Sequence, residues 1–310
     1  MSQYSQGGLL EEFKGAFSKP DNALIQIILI NLVVFLGLIL LRVLLTLTVS
    51  PDAYDVVVSY LMLPSSLGKF FMQPWTIFTY FVAHEGILHF AFNMLWLYWF
   101  GKIVKEYLGS KRIVGLYILG GIAGGFFYML VYNLVPFYAD RVDGSMMLGA
   151  SAGVLAIVVG AATFMPNFTV FLMFLGPVKI KYIALLSVVL SFAQSTGDNA
   201  GGELAHLGGA ALGFIFIKQL QAGNDWSKPV TWFTSFVMSF FVHQPKMKVT
   251  DNRSKKSKTR NSSTPEARPQ KSQRALDQDE IDAILDKISQ SGYDSLTKDE
   301  KERLFNASKK

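Results

Sequence analysis

Apolar side chains run from Ala23 to Val49 with Arg42 as the single charge. Comparable runs recur at about Glu85–Tyr107, Ile113–Val135, Gly149–Met165, Tyr182–Ser195 and Glu203–Leu220. The fifth is short, and part of FTVFLMFLG just before it is expected to lengthen it. A helix needs roughly 20 such residues to cross about 30 Å of hydrocarbon, so the pattern predicts six membrane helices. Arg42 lies near a span end, where its long stem lets the charge reach the interface. The connection PDAYDVVVSYLMLPSSLGKFFMQPW is broken by Pro and Gly, and its apolar patches predict a segment folded onto the protein or dipping into the interface.

The texture changes after Leu220. KPVTWFTSFVMSFF (228–241) is too short for a span and predicts an interfacial stretch. The following Lys-, Arg-, Ser- and Pro-rich run reads as a disordered linker, suited either to anionic lipid heads or to plain solvation. Near the end, Leu276, Ile281, Ile284, Leu285 and Ile288 recur at helical spacing, Gly292 stops that helix, and TKDE (297–300) forms a capping box for a second. A hairpin this small needs a partner surface. The expected organisation is a segment 1–22, a membrane core 23–220, an interfacial stretch and linker 221–275, and a helical hairpin 276–310.

Composition agrees. Of 310 residues, 51% are apolar and 17% charged, against about a quarter charged in soluble domains. The fold class is thus an all-α membrane protein. The chain has no cysteine, which excludes disulfides, thiolate metal sites and a cysteine nucleophile. The N-terminal segment lacks a cleavable signal pattern. Lys14, Lys19, Lys102, Lys105, Lys111, Arg112, Lys179, Lys181 and the basic tail fall on alternate loops, which predicts both termini in the cytoplasm.

Polar groups inside spans are costly and call for a reason. His89, Asn93, Ser151 and His206 come from three separate spans yet fall at one depth, in the outer third of the membrane, with Glu85 and Glu203 at span ends. His89 and Asn93 are i,i+4 and share a helix face. Ser151, among Gly149, Ala150, Ala152 and Gly153, reads as a packing serine when taken alone. Taken with the others it reads as a nucleophile, with Gly149 ahead of the helix and Ser151 in its first turn. His206 is then the base that takes the hydroxyl proton, and His89, Asn93 and the Ser151 N–H are donors for a developing oxyanion. No carboxylate other than the terminal Glu85 and Glu203 lies at that depth, so a Ser–His pair without a carboxylate is the economical reading. HEGILH has its histidines at i,i+5, unlike a zinc helix, so no metal and no cofactor are expected.

HEGILHFAFNMLWLYWFG, GASAG and AHLGGAALG, in this order, resemble the rhomboid intramembrane serine proteases over roughly residues 23–220. The resemblance implies a six-helix core with Ser151 as nucleophile, His206 as base, and His89 and Asn93 as oxyanion helpers. It makes His84 a structural histidine, Gly149 structural support in the GxS element, and Gly209 and Gly213 the close contact between helices four and six. It also implies transmembrane protein substrates cut near the outer boundary of a bacterial cytoplasmic membrane, and no nucleic-acid partner. Ala152 stands where the family usually has glycine, Thr76 where many members have arginine after tryptophan, and Leu155 where some stack a tyrosine under the histidine. A catalytically weak relative that binds or escorts membrane helices is the alternative. The hairpin lies outside the resemblance and would serve a cytoplasmic partner.

Overall fold

In the computed structural model, residues 15–17, 21–172, 176–241 and 273–308 are described. Most of the expected N-terminal segment and basic linker, and residues 173–175, lie outside them. The chain forms two units, Met1–Pro245 and Lys246–Lys310.

The first unit is built on α1 (Ala23–Thr48), α2 (Ile87–Leu108), α3 (Ser110–Leu134), α4 (Ser151–Phe164), α5 (Ile180–Gln194), α6 (Ala200–Gln221) and α7 (Ser227–Phe241). Among the described residues, α1, α2, α3 and α6 are long and apolar enough to cross a membrane, while α4 and α5 are shorter apolar helices of 14 and 15 residues. The protein is a multi-pass membrane protein. Gly109 alone separates α2 from α3, at φ 82°, a conformation that costs a residue with a Cβ.

Layering follows from side-chain size. The apolar windows of α3 and α6 are 56% and 50% buried, those of α1 and α2 only 28% and 33%, so α3 and α6 are central. Ten of the fourteen residues of α4 are buried between them. Small residues make this possible. A Cβ on Gly124 of α3 would lie 2.6 Å from the Ala152 Cβ and 2.6 Å from the Ala205 carbonyl oxygen. With hydrocarbon outside, helices gain little by hiding ordinary apolar surface, and close backbone packing drives association instead. The outer faces of α1 and α5, including Leu40, Leu47, Leu185, Leu186 and Phe192, are exposed as lipid contact requires.

A buried polar knot joins α1 to the centre. Asn31 Nδ2 donates to the Tyr117 hydroxyl (2.9 Å) and to Ile27 O (2.8 Å), and Tyr117 donates onward to Phe81 O (2.8 Å). Such groups cost several kcal/mol in hydrocarbon unless paired, and here they are paired.

The long first connection folds onto the bundle. It contains helices Pro51–Ser59, Leu67–Met72 and Thr76–Thr79, and a strand β1 (Leu63–Pro64) that pairs antiparallel with β2 (Met146–Met147). Trp75 Nε1 donates to Tyr60 O (2.9 Å), and Thr79 Oγ1 to Leu61 O (3.0 Å). Thr76 is fully buried, with its hydroxyl on Gln73 O (2.7 Å). FTVFLMFLG does not lengthen the fifth span. Its start forms β3 (Thr169–Leu172), antiparallel to β4 (Gly176–Lys179), and α5 begins at Ile180. The β-branched and aromatic residues there suit a strand as readily as a helix.

At the opposite end, Arg112 pairs with Asp225 (2.8 Å), and Asp225 also accepts from the Ser227 N–H (3.0 Å), capping α7. Trp232, Phe233 and Phe236 are exposed on that helix. The second unit is a hairpin of α8 (Gln273–Ser291) and α9 (Lys298–Ser308). Thr297 and Glu300 bond reciprocally as a capping box, at 2.7 and 3.3 Å, and Lys287 meets Glu300 at 2.9 Å.

Candidate active site

Ser151 is the first residue of α4, and the chain enters it through Gly149 at φ 133°. The β1–β2 pair fixes this approach from one side, and the Gly149 N–H donates to Tyr80 O (2.8 Å). A Cβ on Gly149 would come within 2.9 Å of His89 Cε1 and 3.8 Å of the Ser151 hydroxyl. Glycine thus serves twice here, for its backbone angle and for the imidazole lying over it. The N–H of Ser151, at a helix start, has no acceptor within α4.

His84 is 1% exposed and lies behind this turn. Its Nε2 accepts the Ala150 N–H (3.2 Å), while its ring meets those of His89 (5.6 Å) and Phe90 (5.4 Å) edge to face. It thereby holds the residue just before the serine. His89 and Asn93 lie one turn apart on α2, and Asn93 Nδ2 donates to His89 O (2.9 Å), leaving its second amide hydrogen unspent.

Opposite stands α6, pressed onto α4. A Cβ on Gly209 would lie 2.1 Å from Ala152 O, and one on Gly213 2.3 Å from Ala156 O. This packing carries His206 to the wall of a cavity of about 410 Å³. Ser151, His206, His89 and Asn93 all line it, so the residues singled out from three spans share one space. Phe92, Trp96, Val154, Leu155 and Leu190 supply an apolar lining. Leu155 therefore stands in the cavity wall.

Two neighbours of His206 were not anticipated. Its Nδ1 lies 3.2 Å from Glu203 Oε2, three residues earlier on α6, and 3.0 Å from the Ser191 hydroxyl of α5. The sequence puts Glu203 at a span end and predicts a Ser–His pair without a carboxylate; in the structure the Glu203 carboxylate stands within reach of the His206 ring. The E-x-x-H spacing held that signal. Ser191 comes from another helix and left none.

Buried small-residue helices thus define a membrane protein with a cavity whose wall holds a serine at a helix start and a histidine from another helix. Residues 72–221, just under half of the chain, match the rhomboid domain, so the chain carries a region similar to rhomboid proteins. Residues 270–310 match a family of unknown function. The chain is 27% identical over 158 residues to RHOMBOID-like protein 12, mitochondrial, of Arabidopsis thaliana, covering 48% of this chain and 47% of that protein. It is 31% identical over 141 residues to rhomboid protease GluP of Bacillus subtilis, covering 46% and 25%. A 52-residue stretch is 33% identical to rhomboid protease GlpG of an Enterobacter species, covering 17% and 19%. The matches thus span about half or less of these relatives.

Proposed function

We propose that this chain is an intramembrane serine endopeptidase that cleaves transmembrane proteins near the outer membrane boundary. The observation that carries the reading is the convergence of Ser151 and His206 on one cavity with His89 and Asn93. The names of the bacterial relatives, rhomboid proteases GluP and GlpG, support it.

In this reading all six helices cross the membrane. The 14 residues of α4 rise about 21 Å, short of the ~30 Å hydrocarbon layer. A helix that starts below the surface leaves a hollow above Ser151, through which water reaches the site. The Lys/Arg pattern of the loops supports cytoplasmic termini, with the hollow opening outward and the hairpin facing a cytoplasmic partner, and the bacterial relatives support a bacterial cell membrane.

The steps follow from the groups present. His206 takes the proton of the Ser151 hydroxyl as the oxygen attacks the substrate carbonyl. Asn93, His89 and the Ser151 N–H face the oxyanion. The His206 proton then passes to the leaving amine. Water, deprotonated by the same imidazole, hydrolyses the acyl-enzyme. A scissile peptide in a helix has its carbonyl hydrogen-bonded and shielded, so segments that unwind easily, rich in Gly and other small residues, are the expected substrates.

The test is to purify the protein in detergent and offer it a panel of fluorescent transmembrane substrates. Wild type cleaves at least one, while Ser151→Ala and His206→Ala lose cleavage and fluorophosphonate labelling. Equal turnover in all three ends the protease reading. Helix binding without turnover or labelling favours a helix-binding relative.

A further inference from the structure

We infer that Glu203 is a positioning residue for His206, fixing the hydrogen on Nδ1 and leaving Nε2 as the basic nitrogen for Ser151. The inference rests on the hydrolase reading and changes its machinery from a pair to a chain of three groups.

The geometry is local and specific. Glu203 and His206 share a face of α6 at i,i+3, and Glu203 Oε2 stands 3.2 Å from His206 Nδ1. Both side chains are largely withdrawn from solvent, 13% and 22% exposed. An ionised carboxylate can only accept a hydrogen bond, and a neutral imidazole carries one N–H. A bond between them therefore puts that hydrogen on Nδ1 and the lone pair on Nε2.

The other groups facing the ring do not fix this direction. The Ser191 hydroxyl of α5, 3.0 Å from Nδ1, can donate or accept. Across the cavity are the His89 imidazole of α2 and the Ser151 hydroxyl of α4, each also able to do either. Among the described residues lining the cavity, Glu203 is the sole carboxylate. The same contact serves a second step. When Nε2 takes the serine proton the ring becomes a cation, and the adjacent carboxylate stabilises it. An acidic residue in a first helical turn also favours the helix dipole. That role leaves the imidazole tautomer untouched, which separates the two.

The experiment uses the full chain in detergent with ¹⁵N-labelled histidine, the His206 signals being assigned by their loss in His206→Ala. Nitrogen–proton correlations read the tautomer, and the labelling rate of a fluorophosphonate probe reads Ser151 reactivity. The expected result is an Nδ1–H imidazole in the wild type. In Glu203→Leu, which keeps bulk but removes the acceptor, an Nε2–H population appears and labelling slows roughly tenfold. An Nε2–H imidazole in a wild type that labels normally overturns the positioning role alone, as does a folded Glu203→Leu with tautomer and rate unchanged. Should Glu203→Leu not fold, Glu203→Ala is read in the same two ways, and an unchanged tautomer and rate there overturn the positioning role. A wild type that takes no Ser151-dependent label sinks the hydrolase reading, whatever the tautomer.

Discussion

Replacing Gly209 by alanine tests whether backbone contact between α4 and α6 sets the geometry of the proposed Ser151–His206 site. The added Cβ would sit 2.1 Å from Ala152 O, 2.8 Å from Ala152 C and 3.1 Å from Ala152 Cα, whereas ordinary contact begins near 3.4 Å. The obstructing atoms are main chain, so no rotamer change relieves the clash. The helices must separate by about 1 Å at this level, and Ala152 directly follows Ser151 while His206 lies one turn before Gly209. A misplacement of about 1 Å between reacting groups can cost roughly a hundredfold in rate. Overpacking of this kind also costs about 1–3 kcal/mol of stability. The assay is the fluorophosphonate labelling rate of Ser151 beside thermal unfolding in the same detergent. Gly37→Ala is the control, since a Cβ there meets nothing within 4 Å. The expected outcome is slow labelling and a lowered melting temperature for Gly209→Ala, with Gly37→Ala like wild type. Wild-type labelling by a folded Gly209→Ala would refute the claim that this contact fixes the site.

Two further outcomes concern stability. Tyr117→Phe leaves Asn31 Nδ2 and Phe81 O short of a partner and should lower stability by about 1–3 kcal/mol in thermal unfolding. Adding Asn31→Leu should cost less than the sum of the two singles, and strict additivity would argue that the knot is not cooperative. In the hairpin, the Lys287 ammonium beside Glu300, together with the Thr297 N–H, holds its carboxyl down to about 2, against a usual 4.5. A depressed carboxyl contributes stability above its unfolded value and loses it as pH falls toward the folded one. Protection of the 298–308 amides, taken relative to their intrinsic exchange rates at each pH, should therefore fall between pH 4.5 and 3 in the wild type, and Glu300→Gln should flatten that dependence.

Much of the fold was legible because hydrocarbon imposes a coarse rule. The run Ala23–Val49 appears as Ala23–Thr48, and Glu85–Tyr107 as Ile87–Leu108. The start of α3 was less legible. Charge at Lys111 and Arg112 moved the expected beginning to Ile113, while the helix starts at Ser110, because Arg112 satisfies Asp225 at the bundle end. FTVFLMFLG misled for another reason, since apolar content alone does not separate strand from helix over so few residues. At the site, His89, Asn93, Ser151 and His206 were singled out from the sequence as costly polar groups, and all four line one cavity. Gly149's angle and the His84 contact with Ala150 were not, because both depend on how the first connection pairs with residues 146–147.

The Asn31–Tyr117–Phe81 knot has a mechanical consequence for α1. An oily cylinder surrounded by lipid tails feels almost no resistance to sliding along its own axis, since every displacement exchanges one hydrocarbon contact for another. One amide pegged to a phenol removes that freedom, because a shift by a single residue would strand both groups in oil. In bilayers of different thickness, α1 should therefore pivot about Asn31 and change its tilt, keeping its vertical register against the rest of the bundle.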